Sequence, residues 1–133
     1  MPRVIADTHA LLWYLLDSPR LSPRARAELE QTAAVGATIG VSAASVVEIV
    51  YLQEKERVSA QSLPELASHL SRSRPVLEIV PVTYELALAV ERVPRAEVPD
   101  FPDRIIAATA LHLGIPLISR DRKIRLSAVE TIW

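Results

Sequence analysis

Val4-Ile5-Ala6-Asp7-Thr8-His9-Ala10-Leu11-Leu12-Trp13 turns from a short apolar run into a helical pattern, with an acid at the join. The spacing predicts a buried strand over 4–6 that ends at Asp7. A helix capped by Thr8 follows, running to about Leu16, where Ser18-Pro19 closes it. A strand that delivers a carboxylate at its C-terminal end and passes directly into a helix is the start of an α/β unit.

The same alternation repeats outward from there. Ser22-Pro23 opens a helix to about Ala34, with serine as cap and proline at the first helical position. Thr38–Val41 reads as a second strand, and Ser42 caps a helix to about Lys55. Ser62-Leu63-Pro64 starts another helix, to about Ser71. Leu77–Val80 is a third strand, stopped by Pro81, and Thr83–Glu91 is helical. Three prolines between Val93 and Pro102 impose a rigid loop. The next helix spans about Asp103–Leu113 and stops at Gly114. Pro116–Ser119 is a fourth strand, and a short last strand lies near Glu130–Ile132. Short strands apolar on both faces, alternating with helices, imply an α/β domain around a mostly parallel sheet.

In such a sheet the strand C-termini and helix N-termini share one edge, and ligands bind there. Asp7 ends the first strand, Asp121 follows the fourth, Asp103 begins the helix before it, and Glu48 lies in the second turn of the helix after strand two. Four acids from four segments therefore fall on one rim. Taken singly, each has a structural role open to it. Asp7 suits a helix cap, Asp103 suits a helix dipole with Asp100 as the alternative cap, and Asp121 suits a turn.

Glu48 is the exception. It is the only charged residue between Ile39 and Leu52, and apolar residues surround it on every helical face. That predicts a largely buried helix, in which an acid needs a partner or a cation. Two carboxylates ~5 Å apart repel by roughly 3 kcal/mol at an effective dielectric near 20. Clustered acids are therefore costly without a counter-ion, and hard ions such as Mg²⁺ or Mn²⁺ choose oxygen ligands. One or two such ions grip a phosphate and activate water. Basic residues beside the acids fit that substrate: Arg104 adjoins Asp103, and Arg120, Arg122 and Lys123 flank Asp121. A solvated surface face explains them equally well.

The 133 residues suit one domain, 1–133, and the net charge of −1 argues against coating nucleic acid by bulk attraction. With no cysteine there is neither a disulfide nor a thiolate metal site. No apolar run reaches the ~20 residues of a membrane span. The start meets an acid too early for a secretory signal, so a cytoplasmic location is expected. Gly36, Gly40 and Gly114 are the only glycines, too few for a phosphate-cradling loop.

The opening stretch resembles the start of PIN-domain proteins, especially VapC-type toxins. Ser42-Ala43-Ala44-Ser45-Val46-Val47-Glu48-Ile49, Asp103-Arg104-Ile105-Ile106-Ala107-Ala108-Thr109-Ala110 and Leu117-Ile118-Ser119-Arg120-Asp121 resemble the family's later motifs, in order and over essentially the whole chain. The resemblance implies a three-layer PIN-like domain with strand order 3-2-1-4-5. It also implies a Mg²⁺- or Mn²⁺-dependent endoribonuclease with Asp7, Glu48, Asp103 and Asp121 as its metal-binding quartet. It implies a homodimer, an RNA substrate and a VapB-like antitoxin. Thr8 and Ser119 match small hydroxyl positions beside the metals, although helix cap and strand end suit them too.

His9 adjoins the quartet but suits a structural role, and Trp13, Tyr14 and Trp133 suit core packing. His69 and His112 lack paired-ligand spacing. A haloacid-type phosphatase would place a second acid where His9 stands. A housekeeping PIN nuclease of RNA processing, or a non-catalytic PIN-like nucleic-acid-binding module, are the alternatives within the fold.

Overall fold

The computed structural model describes residues 1–125 and 127–133. Five strands alternate with helices: β1 (Pro2–Ala6), α1 (Thr8–Leu15), α2 (Pro23–Ala34), β2 (Thr38–Ser42), α3 (Ala43–Glu54), α4 (Ser62–Leu70), β3 (Leu77–Val80), α5 (Tyr84–Ala89), α6 (Phe101–Leu113), β4 (Leu117–Ile118), α7 (Arg122–Arg125) and β5 (Thr131–Ile132). A single 3₁₀ turn over Val90–Arg92 extends α5. The strands pair in the order β3-β2-β1-β4-β5, and each pairing is parallel. The expected sheet is therefore present, and β1, which carries Asp7, is its central strand.

The layers follow from the two-residue period of a strand, which sends successive side chains to opposite faces. Val4 and Ala6 pack into one cluster with Leu11, Leu12 and Trp13 of α1, Leu29 of α2, Ile49 of α3 and Leu66 of α4. Ile5 points the other way, into a second cluster with Ile106, Ala107 and Ala110 of α6, Leu117 and Ile124. Two apolar layers thus sandwich one sheet. Gly40 in β2 lies under close neighbours: a Cβ there would stand 2.5 Å from Ile5 Cδ1, so that buried side chain would have to shift.

The structure differs from the sequence reading here in one boundary, one added element and one burial pattern. The last proline of the loop, Pro102, lies inside the first turn of α6, where its missing N–H costs nothing, so the helix begins at Phe101 rather than Asp103. The short helix α7 was not expected, because four residues are too few to carry a periodic signal. The largely buried α3 is also a correction: Ser45 and Ile49 are its buried residues, while Val47 and Tyr51 are 58% and 60% exposed. Apolar composition reports that a face avoids water, not that this chain alone covers it. No described helix is long and apolar enough to cross a membrane.

Candidate active site

Asp7 emerges from β1 buried, with its carboxylate turned back onto the first turn of α1. Its Oδ1 accepts the Ala10 N–H at 2.9 Å, so Asp7, not Thr8, is the helix cap. The backbone decides this. Asp7 is extended (φ −71°, ψ 174°) as a cap must be, whereas Thr8 is already inside the helix. Thr8 is thereby free for another role. Its hydroxyl donates to Glu48 Oε1 at 2.6 Å, and its oxygen lies 3.0 Å from that of Ser45. The partner that Glu48 lacked in sequence is thus a threonine 40 residues away, and Glu48 is only partly buried.

Asp103 and Asp121 are set by similar local devices. Asp100 caps α6, accepting the Asp103 N–H at 3.4 Å, which leaves the Asp103 carboxylate in the first helical turn. Asp121 Oδ1 accepts the N–H groups of Lys123 and Ile124 at 2.8 and 3.3 Å, and its own N–H donates to Ser119 Oγ at 3.0 Å. The Asp7 N–H donates to the Ile118 carbonyl at 3.1 Å, which ties the ends of β1 and β4 together.

These four acids line one cavity of about 400 Å³, together with His9, Trp13, Asp100 and Arg120. Sequence reasoning missed the fifth acid, Asp100, because a capping role already accounted for it. Trp13, expected to pack in the core, is nearly buried and also lines this cavity. Arg104 corrects the expectation of a phosphate-facing arginine beside Asp103. Its Nε donates to the Val93 carbonyl at 2.8 Å, and it lines a different cleft with Arg95 and Phe101. Adjacent positions on a helix point about 100° apart, so the neighbour of a site residue faces elsewhere. Arg122 and Lys123 are exposed on α7, outside the cavity lining.

Electrostatics single out Asp103. Burial, followed by the charges of Asp100, Asp121, Glu48 and Asp7, pushes its carboxyl up to about 8. Burial also raises Asp7, opposed by the Ser119 hydroxyl, the Ala10 N–H and His9. Every donor facing the cavity from the acids is a carboxylate oxygen, which suits a hard divalent cation. As the side chains stand, no three acidic or histidine groups among the described residues close on one point at ligand distance. The cavity is a ring of donors, not a formed cage.

The PIN domain model matches residues 4–130. The chain belongs to the PIN-domain family. Among curated proteins, this PIN domain is similar to ribonuclease VapC22 of Mycobacterium tuberculosis, 30% identical over 125 residues, which cover 94% of this chain and 92% of that one. Among solved structures it is similar to VapBC2 from Rickettsia felis bound to a DNA fragment from its promoter, at TM-score 0.70 and 19% identity over 96% of both chains. It is also similar to VapC20 of M. tuberculosis, described as a sarcin–ricin loop cleaving toxin, at TM-score 0.61 and 18% identity over 92% of both chains. At those identities the structural likeness establishes the fold.

The cap bond of Asp7 gives a direct test of what that residue is for. Asp7→Asn keeps an oxygen for the Ala10 N–H and removes a buried charge. Metal-free Asp7→Asn is therefore expected to melt no lower than wild type, with a gain of about 1 kcal/mol. A clear fall in Tm would assign Asp7 to structure instead.

Proposed function

We propose that this PIN domain is a divalent-metal-dependent endoribonuclease, the toxin of a toxin–antitoxin pair acting in the cytoplasm. Asp7, Glu48, Asp103 and Asp121 are its metal-binding and catalytic residues. The observation that carries the reading is the gathering of these four acids, from four separate segments, around one polar cavity. The similarity to a ribonuclease over nearly the whole chain supports RNA as substrate.

In this reading Asp7 supplies oxygens from the end of β1, Asp103 from the first turn of α6, and Asp121 from the turn after β4. Thr8 holds Glu48 in a fixed orientation by its short hydroxyl bond, and Ser119 holds the Asp121 turn by accepting its N–H. One or two Mg²⁺ or Mn²⁺ ions, when bound, neutralise the acids, polarise the scissile phosphate and lower the pKa of an attacking water. The acids fit that group because the cavity is rich in hard oxygen donors whose mutual repulsion a cation relieves.

A homodimer and a VapB-like antitoxin belong to the same proposal. Val47, Tyr51, Val82 and Phe101 leave an open apolar groove of about 720 Å³ beside Glu48 and Asp100, which is surface suited to a protein partner. The purified chain is expected to cut single-stranded RNA with Mg²⁺ or Mn²⁺ and to stop in EDTA. Cleavage that persists in EDTA sinks the metal-dependent reading.

A further inference from the structure

Arg120 stands in a cavity lined by five carboxylates, yet among the described residues it forms no ion pair. Its guanidinium carbon lies 4.8 Å from the ring centroid of Trp13 instead. We infer that Arg120, seated on the indole of Trp13, is the contact through which the site holds an RNA phosphate, and that Trp13 is the residue that positions it. The inference rests on the ribonuclease reading above.

A guanidinium lying over an aromatic face is held by the ring quadrupole while its N–H edge stays free, and that edge matches the two oxygens of a phosphate. The seat is rigid. Trp13 is buried to 8% exposure near the end of α1, and its ring centroid lies 5.7 Å from that of Trp133 and 5.7 Å from that of His9. The backbone under Arg120 is equally constrained, because Ser119 is fully buried and Asp121 is tied to it.

Without the indole, a long flexible arginine among acids would fold onto one of them. That pairing would neutralise the cation intended for the phosphate and occupy an oxygen that the site needs. Trp13 supplies a competing seat that carries no charge, so the guanidinium stays in the cavity and remains available. Lysine would be a poorer occupant, since a compact ammonium lacks the planar face and the paired donors.

The test is binding of a short single-stranded RNA to the full chain, read by fluorescence anisotropy in Ca²⁺ across a series of KCl concentrations. RNA integrity is checked on a gel, and cleavage with Mn²⁺ is run alongside. Arg120→Gln is expected to weaken binding by about threefold to tenfold and to flatten the log–log salt slope by about 0.7, the value for one phosphate contact to a single strand. Trp13→Leu should show the same loss and the same flattening although Arg120 is still present. Trp13→Phe, which keeps an aromatic face, should bind like wild type, and Trp13→Leu/Arg120→Gln should bind no more weakly than either single variant.

Wild-type affinity and slope in Arg120→Gln would overturn the inference. So would a Trp13→Leu protein that binds weakly but keeps the wild-type slope, since that marks a merely structural tryptophan. If Trp13→Leu fails to fold, the slope of the exposed Arg120→Gln variant decides alone. Absence of cleavage with a persisting Arg120 effect would overturn the ribonuclease reading and leave the seat standing. Cleavage by wild type with no Arg120 effect would do the reverse.

Discussion

Asp103→Asn is expected to lower RNA cleavage by on the order of 10³-fold or more, while the protein remains folded. Burial, followed by the charges of Asp100, Asp121, Glu48 and Asp7, pushes the Asp103 carboxyl up, so its charged form is costly until a cation offsets it. Asparagine keeps its size and leaves the Asp100 cap of α6 intact. What it removes is one anionic oxygen donor and its charge. A cleavage loss accompanied by an unchanged or raised melting temperature would place the effect in the chemistry. Activity within tenfold of wild type would remove Asp103 from the mechanism.

The second large effect concerns stability, pH and metal together. The folded protein holds Asp103 at about 8, against 3.8 for the free side chain. Below pH 3.8 both states carry the proton, and the folded state has its full stability. Between about 4 and 8 the folded state keeps a proton that the unfolded chain has released, so stability falls as pH rises. Burial shifts Asp7 in the same direction. Metal-free protein should therefore lose Tm progressively from pH 5 to pH 8, and Asp103→Asn should flatten that decline.

Mn²⁺ should act oppositely. A ligand at 100 times its Kd stabilises by about 2.7 kcal/mol, or on the order of 10 °C for a chain of this size. Because protons compete with the ion for the same oxygens, the gain should be greater at pH 8 than at pH 5. A Tm indifferent to both pH and Mn²⁺ would show that the acids neither repel one another nor bind the cation.

How much of this was legible in the sequence differs residue by residue. Val4-Ile5-Ala6-Asp7 announced both the central strand and its acid, because a buried strand and a rim carboxylate each leave a local signal. Asp103 and Asp121 were legible as rim positions once the alternation of strands and helices was read. The strand order came from the family likeness, since spacing does not say which strands pair. Other features depended on tertiary distance. The bond from Thr8 to Glu48 joins residues far apart in sequence, and periodicity carries no information about it. Arg120 and Arg104 look alike beside their acids, yet one faces the cavity and the other turns to the Val93 carbonyl. Trp13 reads as core and is core, but its ring also lines the site. The exposed face of α3 was misread because hydrophobicity does not distinguish a face covered by the same chain from one left open.

The central claim is that the carboxylate ring cuts RNA only through a bound divalent ion. Its most direct test is single-turnover cleavage of a defined single-stranded RNA by metal-stripped wild type and by Asp103→Asn, each before and after addition of Mn²⁺. The expected result is that wild type is silent until Mn²⁺ is added and then cuts, while Asp103→Asn stays silent throughout. Cleavage by the stripped wild type, or equal cleavage by the variant after Mn²⁺, would contradict it.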